Sequence, residues 1–148
     1  MNGADPLERL SARLGHTFLD AALLERALTH SSFANENVGT RDNGALAFLG
    51  DAVLGLVVGE HLWRAFPDEP EGVLTPKRAE LVSGANLSRW AVRIDLGSHL
   101  RLGHGEEQTG GRDKESVLAT ALEAVLAVVY LEAGLEEARR AVASLALW

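Results

Sequence analysis

The chain of 148 residues contains no cysteine. It can therefore form neither disulfide bonds nor thiolate metal sites. Aromatic residues make up only 5% of the sequence, whereas 47% of the residues are hydrophobic and many of these are Ala or Leu. This composition is typical of a folded, mainly helical globule and not of a disordered chain. The length suits one domain with a sizeable core, so we predict a single domain over residues 1–148.

Long apolar runs free of charge are also scarce, and none is expected to span a bilayer. The N-terminal MNGADPLERL lacks the basic segment followed by an apolar segment that marks a secretory signal. We therefore expect a cytoplasmic protein with no membrane partner. The formal net charge is −7. This sign disfavours a protein whose main task is to bind phosphates, although local charged patches matter more than the total.

Hydrophobic periodicity predicts helices along the whole chain and no strand of convincing alternation. Asp5 followed by Pro6 predicts a helix start, Gly15 its end, and Asp20 the cap of a second helix. Pro76 is expected in the first turn of its helix, and Gly97 is expected to end another. The polar stretch 29–35 is predicted to close the second helix, and the segments 36–44 and 103–114 predict loops. Later helices are predicted over residues 43–66, 74–82, 86–96, 118–133 and 136–147. The predicted fold class is all-α.

The most informative stretch is residues 43–66, where Asp51 stands between Gly50 and Ala52 inside an apolar run. An ionised carboxylate inside such a helix is costly to bury unless a hydrogen-bond partner, a counter-charge or a metal ion compensates it. Alternatively, Gly50 breaks the run and Asp51 caps a helix that begins there. The pattern alone leaves both interpretations open.

Residues 48–54, which read FLGDAVL, resemble the signature of the ribonuclease III nuclease domain. That family cuts double-stranded RNA with divalent metal ions. Segments 27–36, 71–82, 102–112 and 116–124 resemble further parts of the same domain, in the same order. The resemblance implies a helical homodimer in which the aromatic residue of the signature, Phe48 here, inserts into the partner. An ordinary core phenylalanine is the alternative for Phe48.

The resemblance also implies a site for Mg²⁺ or Mn²⁺ with acidic ligands on two helices. The four ligand positions are Ala47, Asp51, Thr120 and Glu123 in this chain, so only two acids remain. Gly44 also stands where the family carries an acid. The loss of even one positioning group can reduce a rate by orders of magnitude. We therefore predict a ribonuclease III-like pseudoenzyme with a structural, RNA-associated or partner-binding role. The alternative is an active metal-dependent endoribonuclease that cleaves double-stranded RNA in RNA processing.

Asp51 and Glu123 also have a structural interpretation, in which they form a carboxylate pair near a helix N-terminus or hydrogen-bond to residues 29–31, and need no metal. If the chain is active, other acids must replace the missing ligands. The candidates are Glu36, Asp42 and Glu60.

Lys77 and Arg78 are the candidate RNA-binding residues, with Arg89, Arg93 and Arg101 as further possible phosphate contacts. A solvated helix face is the alternative explanation for these charges. Typical family chains continue into a domain that binds double-stranded RNA, whereas this sequence stops at Trp148. The resemblance thus implies weak, salt-sensitive binding of structured or double-stranded RNA. A further hypothesis is a heterodimer in which this chain lends its dimer face to an active ribonuclease III.

Overall fold

A computed structural model of the chain describes residues 5–148. Over that range the protein is helical, with short 3₁₀ turns at Leu96–His99 and Gly111–Asp113 and an isolated bridge between Thr29 and Arg101. The all-α prediction is confirmed, while residues 1–4 of the predicted domain lie outside the described part. The helices are α1 (Pro6–Leu14), α2 (Ala21–Ala27), α3 (Ser31–Glu36), α4 (Gly44–Ala65), α5 (Glu71–Leu81), α6 (Gly84–Arg93), α7 (His104–Gln108), α8 (Glu115–Ala133) and α9 (Leu135–Ala146).

Local capping explains where the first helices begin and end. The side chains of Asp5 and Asp20 each accept a hydrogen bond of 3.0 Å from a backbone N–H in the first turn that follows. Gly15 ends α1 in the left-handed conformation, with φ of 74°. The three boundary predictions at these residues are confirmed.

Two polar segments in which no helix was predicted contain helices. Residues 31–36 form α3 because His30 accepts a hydrogen bond from the Ser32 N–H and caps the first turn. Residues 104–108 form α7, and its first residue, His104, donates its backbone N–H to the Glu36 carboxylate of α3 at 2.7 Å. Contacts between the two segments therefore stabilise helices that neither segment predicts alone.

Other predicted boundaries were also wrong. Helix α5 begins at Glu71, so Pro76 lies inside it and not in its first turn. Helix α6 ends at Arg93, and Gly97 lies in the 3₁₀ turn that follows. A Cβ at Gly97 would lie 2.5 Å from the Arg112 carbonyl oxygen, so close packing, not helix termination, requires glycine there. Helix α8 begins at Glu115, one turn before the predicted start.

Helices α4 and α8 form the centre of the core. Helix α8 is surrounded by α2, α4, α6 and α9, while α5 packs against the outer side of α4. Gly44 and Val117, near the two N-termini, line one pocket, and Gly50 contacts Glu123 further along. The two central helices therefore run in the same direction.

By length and composition alone, both central helices are apolar enough to cross a membrane. The prediction from the sequence concerned apolar runs free of charge, and acids interrupt both helices: Asp51 and Glu60 in α4, and Glu123 and Glu132 in α8. In the fold, 44% of the apolar window of α4 and 61% of that of α8 are buried inside the domain. Packing in the core accounts for this hydropathy.

A buried ionic cluster joins the N-terminal helices to the far end of α8. His16 is only 6% exposed, and its two ring nitrogens lie 2.8 Å from Glu132 and 2.9 Å from Glu137. Glu132 also accepts the backbone N–H groups of Leu19 and Asp20. Because these partners are more than 100 positions apart, no local pattern predicts the cluster.

Candidate metal centre and its remaining carboxylates

The two central helices contact each other backbone to backbone at Gly50. A Cβ built on Gly50 would lie 1.7 Å from the carbonyl oxygen of Glu123, so only glycine fits at this position. Helix α4 continues through Gly50 without interruption. The interpretation that Gly50 breaks the run and Asp51 caps a new helix is therefore wrong. Instead, the contact at Gly50 brings Asp51 next to Glu123.

Asp51 and Glu123 form a pair of carboxyl groups at this contact. Glu123 is half-buried and Asp51 is exposed. Burial, together with the hydrogen bond and the negative charge of Asp51, raises the pKa of Glu123 to about 7. At neutral pH the pair therefore retains a proton in a large fraction of molecules.

The two other predicted ligand positions lie one turn before the carboxyl pair. Ala47 precedes Asp51 by four residues, is 7% exposed and belongs to the hydrophobic core. Thr120 precedes Glu123 by three residues and lines a surface pocket of about 230 Å³ with Gly44. The same pocket is lined by His30, Ser31, Asp42, Asn43, Ser116 and Val117. Mostly neutral groups thus occupy the region where the resemblance places acids.

A sequence model of ribonuclease-III-like domains matches residues 20–147. The chain belongs to the ribonuclease-III-like family. It is 54% identical over 129 residues to a ribonuclease 3 of Streptomyces coelicolor, and the aligned part covers 87% of this chain and 46% of that protein. It is 49% identical over 140 residues to a ribonuclease 3 of Caldanaerobacter subterraneus, and the aligned part covers 94% of this chain and 61% of that protein. The ribonuclease-III-like chain thus spans about half the length of these curated relatives.

The fold is similar to that of a nuclease domain of ribonuclease III from Campylobacter jejuni. The TM-score is 0.89 at 41% sequence identity, and 94% of each chain is covered. That domain is described with structural flexibility in the region involved in its dimer formation. The predicted ribonuclease III nuclease-domain fold is confirmed.

Members of the ribonuclease-III-like family generally use a divalent metal. In this chain, the side chains at the four implied ligand positions do not form a site of four acids. Over residues 5–148, no group of three or more His, Asp or Glu side chains could hold a metal ion. Mg²⁺ relies on a few well-placed carboxylates. Here Thr120 offers only a neutral hydroxyl and Ala47 offers no donor at all, so two of the four positions add no negative charge.

The hydrogen bonds expected between the two acids and residues 29–31 are not found among residues 5–148. Thr29 donates its hydroxyl to the Glu25 carbonyl at 2.6 Å, and the His30 ring caps α3. In the described part of the chain, no hydrogen bond joins residues 29–31 to either acid. Asp51 and Glu123 are partners of each other.

The acids proposed as replacement ligands are occupied elsewhere. The imidazole of His104 lies 2.6 Å from Glu36 and holds the pKa of that carboxyl below its usual value. Asp42 accepts the Gly44 N–H at 2.9 Å. Glu60 pairs with Arg139 at 2.7 Å. None of the three belongs to a group that could hold a metal with Asp51 and Glu123.

An apolar stripe on α4 faces away from the core of the ribonuclease-III-like domain. Phe48 is 81% exposed and Leu56 is 56% exposed, and the exposed Ala52 lies between them at helical spacing. The alternative of an ordinary core phenylalanine at Phe48 is therefore wrong. A stripe of this kind marks a surface that another molecule can cover.

The candidate RNA-binding residues lie on α5, away from the carboxyl pair. The Lys77 ammonium lies 4.6 Å from the ring centroid of Phe66. Arg78 is exposed and lines a groove between α4 and α5 that also contains Trp63 and Glu71. Glu69 also lines this groove, and the assignment of Lys77 and Arg78 to RNA binding stays a prediction.

The three further cations each have a partner within the domain. Arg89 donates to the Asn86 side chain at 3.2 Å, and Arg93 donates to the Leu145 carbonyl of α9. Arg101 pairs with Glu25. Arg93 and Arg101 thus have structural roles that sequence reasoning did not identify, because their partners lie far away in sequence.

Proposed function

We propose that this ribonuclease-III-like domain is catalytically impaired and acts as a dimeric module with a structural, RNA-associated or partner-binding role. One observation carries the proposal. The contact between α4 and α8 presents two carboxyl groups where the resemblance assigns four ligands, and neutral residues occupy the other two positions.

The chemistry of phosphodiester hydrolysis explains why this change matters. A bound divalent metal supplies an activated water and stabilises the charge that develops on phosphate oxygens. The residues of the chain must hold the metal ion and fix its position. Asp51 and Glu123 can contribute to this, but Ala47 and Thr120 add no negative charge. We therefore expect both metal affinity and positioning to be severely weakened.

A cleavage assay with matched variants tests the loss of activity. Double-stranded RNA is incubated with Mg²⁺ or Mn²⁺ and the wild-type protein, the Asp51→Ala/Glu123→Ala variant, or the Ala47→Glu/Thr120→Asp variant. We expect the wild type to cleave no faster than the first variant, and we expect the restored acids of the second to raise metal-dependent cleavage. Circular dichroism of all three proteins controls for folding.

The opposite result supports the alternative function. Metal-dependent cleavage by the wild type that is lost in Asp51→Ala/Glu123→Ala would mean that the chain is an active endoribonuclease. The proposal of impaired catalysis would then be wrong.

The exposed α4 stripe supports the homodimer part of the proposal, as does the dimer formation described for the Campylobacter jejuni domain. Burial of a phenylalanine side chain contributes about 2 kcal/mol, so Phe48 is a strong anchor for a second copy. An aspartate at the same position would place an unpaired charge in the interface.

Light scattering on wild-type, Phe48→Asp and Val92→Asp proteins measures the oligomeric state. Val92 is 67% exposed on α6 and serves as the matched control. We expect dimers for the wild type and Val92→Asp and a monomer for Phe48→Asp. A Phe48→Asp dimer of unchanged stability would reject the interface. Mixing the wild type with an active ribonuclease III tests the heterodimer hypothesis in the same instrument.

A further inference from the structure

Three arginines from separate parts of the chain line one surface pocket of about 320 Å³. Arg26 belongs to α2, Arg41 to the loop before α4, and Arg101 to the segment before α7. The remaining lining residues are Ala22, Glu25, Thr29, Gly39 and Thr40. We refer to this site as the arginine pocket.

The arginine pocket is positive although the protein as a whole is acidic. Three guanidinium groups against the single carboxylate of Glu25 leave a formal excess of two positive charges among the lining residues. The whole chain carries a formal charge of −7. Since local potential and not net charge determines where an anion binds, the pocket attracts anions that most of the surface repels.

Two of the guanidinium groups are held in place before any ligand arrives. Arg101 pairs with Glu25 and lies 4.2 Å from the ring centroid of Phe33. Its backbone N–H donates to the Leu28 carbonyl at 2.8 Å. Arg26 donates its Nε–H to the Asp42 carbonyl at 3.1 Å. Arginines restrained in this way lose less conformational entropy on binding than free side chains do.

The pocket also retains unused hydrogen-bonding capacity. Over residues 5–148, the terminal N–H groups of Arg26 make no hydrogen bond, and Arg41 forms neither an ion pair nor a side-chain hydrogen bond. The planar guanidinium fork matches the oxygens of a phosphate group in a bidentate geometry. The Thr40 hydroxyl is a further donor at the edge of the pocket.

We propose that Arg26, Arg41 and Arg101 form a binding pocket for a phosphate group. The phosphate belongs to an RNA backbone or to a small phosphate ion, since both present the same oxygens. The site uses none of the carboxyl-pair residues, so the inference holds whether or not the domain has lost its catalytic activity.

Nuclear magnetic resonance titrations of ¹⁵N-labelled protein test the proposal. Inorganic phosphate and a short RNA duplex are each added at low ionic strength to the wild type, Arg41→Gln, Arg26→Gln/Arg41→Gln and Arg64→Gln. Arg41 is exposed, so its substitution leaves the fold intact, and Arg64 is a matched exposed arginine on α4. Melting temperatures of all variants are measured in parallel.

We expect the amide signals of Thr40 and Arg41 to shift and the double variant to weaken binding by about 10-fold, as expected for lost charge-assisted hydrogen bonds. The salt dependence of duplex binding should fall by about one in log–log slope for each phosphate contact that is lost. Arg64→Gln should bind like the wild type.

The two ligands distinguish the sources of the phosphate. Shifts with the duplex alone identify a backbone phosphate, and shifts with inorganic phosphate alone identify a small ion. Shifts with both, weakened by Arg41→Gln, support the shared chemistry. The proposal is overturned if neither ligand shifts these signals, or if Arg64→Gln weakens binding as much as the double variant.

Discussion

Replacing Gly50 with alanine should destabilise the domain more than any other glycine substitution in α4. The added Cβ would lie 1.7 Å from the Glu123 carbonyl oxygen, 2.5 Å from its carbonyl carbon and 3.1 Å from its Cα. All three are backbone atoms, so no side-chain rotation relieves the clash. Helix α4 must move from α8 by about 1.3 Å for that oxygen contact to reach 3.0 Å. Overpacking of a core costs about 1–3 kcal/mol, and we expect the upper end here.

Gly55→Ala provides the matched control in the same helix. No atom lies within 4 Å of a Cβ built on Gly55, and the residue is inside α4. Alanine in a helix interior is more favourable than glycine by about 1 kcal/mol. The two substitutions make the same chemical change and should therefore alter the free energy of unfolding with opposite signs.

Urea denaturation followed by circular dichroism measures both values. We expect Gly50→Ala to lower the free energy of unfolding by about 3 kcal/mol and Gly55→Ala to raise it. The parting of the helices should also lower the pKa of Glu123, because Asp51 moves away. A Gly50→Ala protein as stable as the wild type would refute the close helix contact and the carboxyl pairing that depends on it.

Two further substitutions test the buried acids. Since the fold raises the pKa of Glu123 to about 7, its stabilising contribution is complete below about pH 4.5 and is lost as the pH rises through 7. Glu123→Gln should reduce the loss of unfolding free energy between pH 5.5 and 8.5 by about 1 kcal/mol, a value lowered for partial solvent exposure. A variant whose urea denaturation depends on pH as that of the wild type does would contradict this. Glu132→Ala should destabilise the protein by about 3 kcal/mol in thermal unfolding, because His16 and the N–H groups of Leu19 and Asp20 lose a buried acceptor. A wild-type melting temperature would show that the cluster contributes little.

Local signals predicted much of the helical framework. The caps at Asp5 and Asp20 and the end at Gly15 depend on hydrogen bonds within a few residues, and these residues were identified correctly. The family resemblance assigned Asp51 and Glu123 to one site across 72 positions of sequence, and the fold places them together.

Helices that depend on distant partners were not predictable in this way. Helices α3 and α7 are short and polar, and the hydrogen bonds between Glu36 and His104 stabilise them together. Pro76 was placed in a first turn because an isolated proline pattern favours that position. Pro70 occupies the N-cap position of α5, so the helix begins at Glu71, earlier than predicted.

The residue identities settled the helical composition, the family and the absence of carboxylates at Ala47 and Thr120, because these properties follow from local hydrogen bonding and side-chain chemistry. The tertiary structure decided the protonation of Glu123, the need for glycine at Gly50, and the meeting of three arginines in one pocket. Each of the latter depends on through-space distances between segments far apart in sequence, since Coulomb interactions, desolvation and steric overlap depend on how close the fold brings two groups and not on how near they are in sequence.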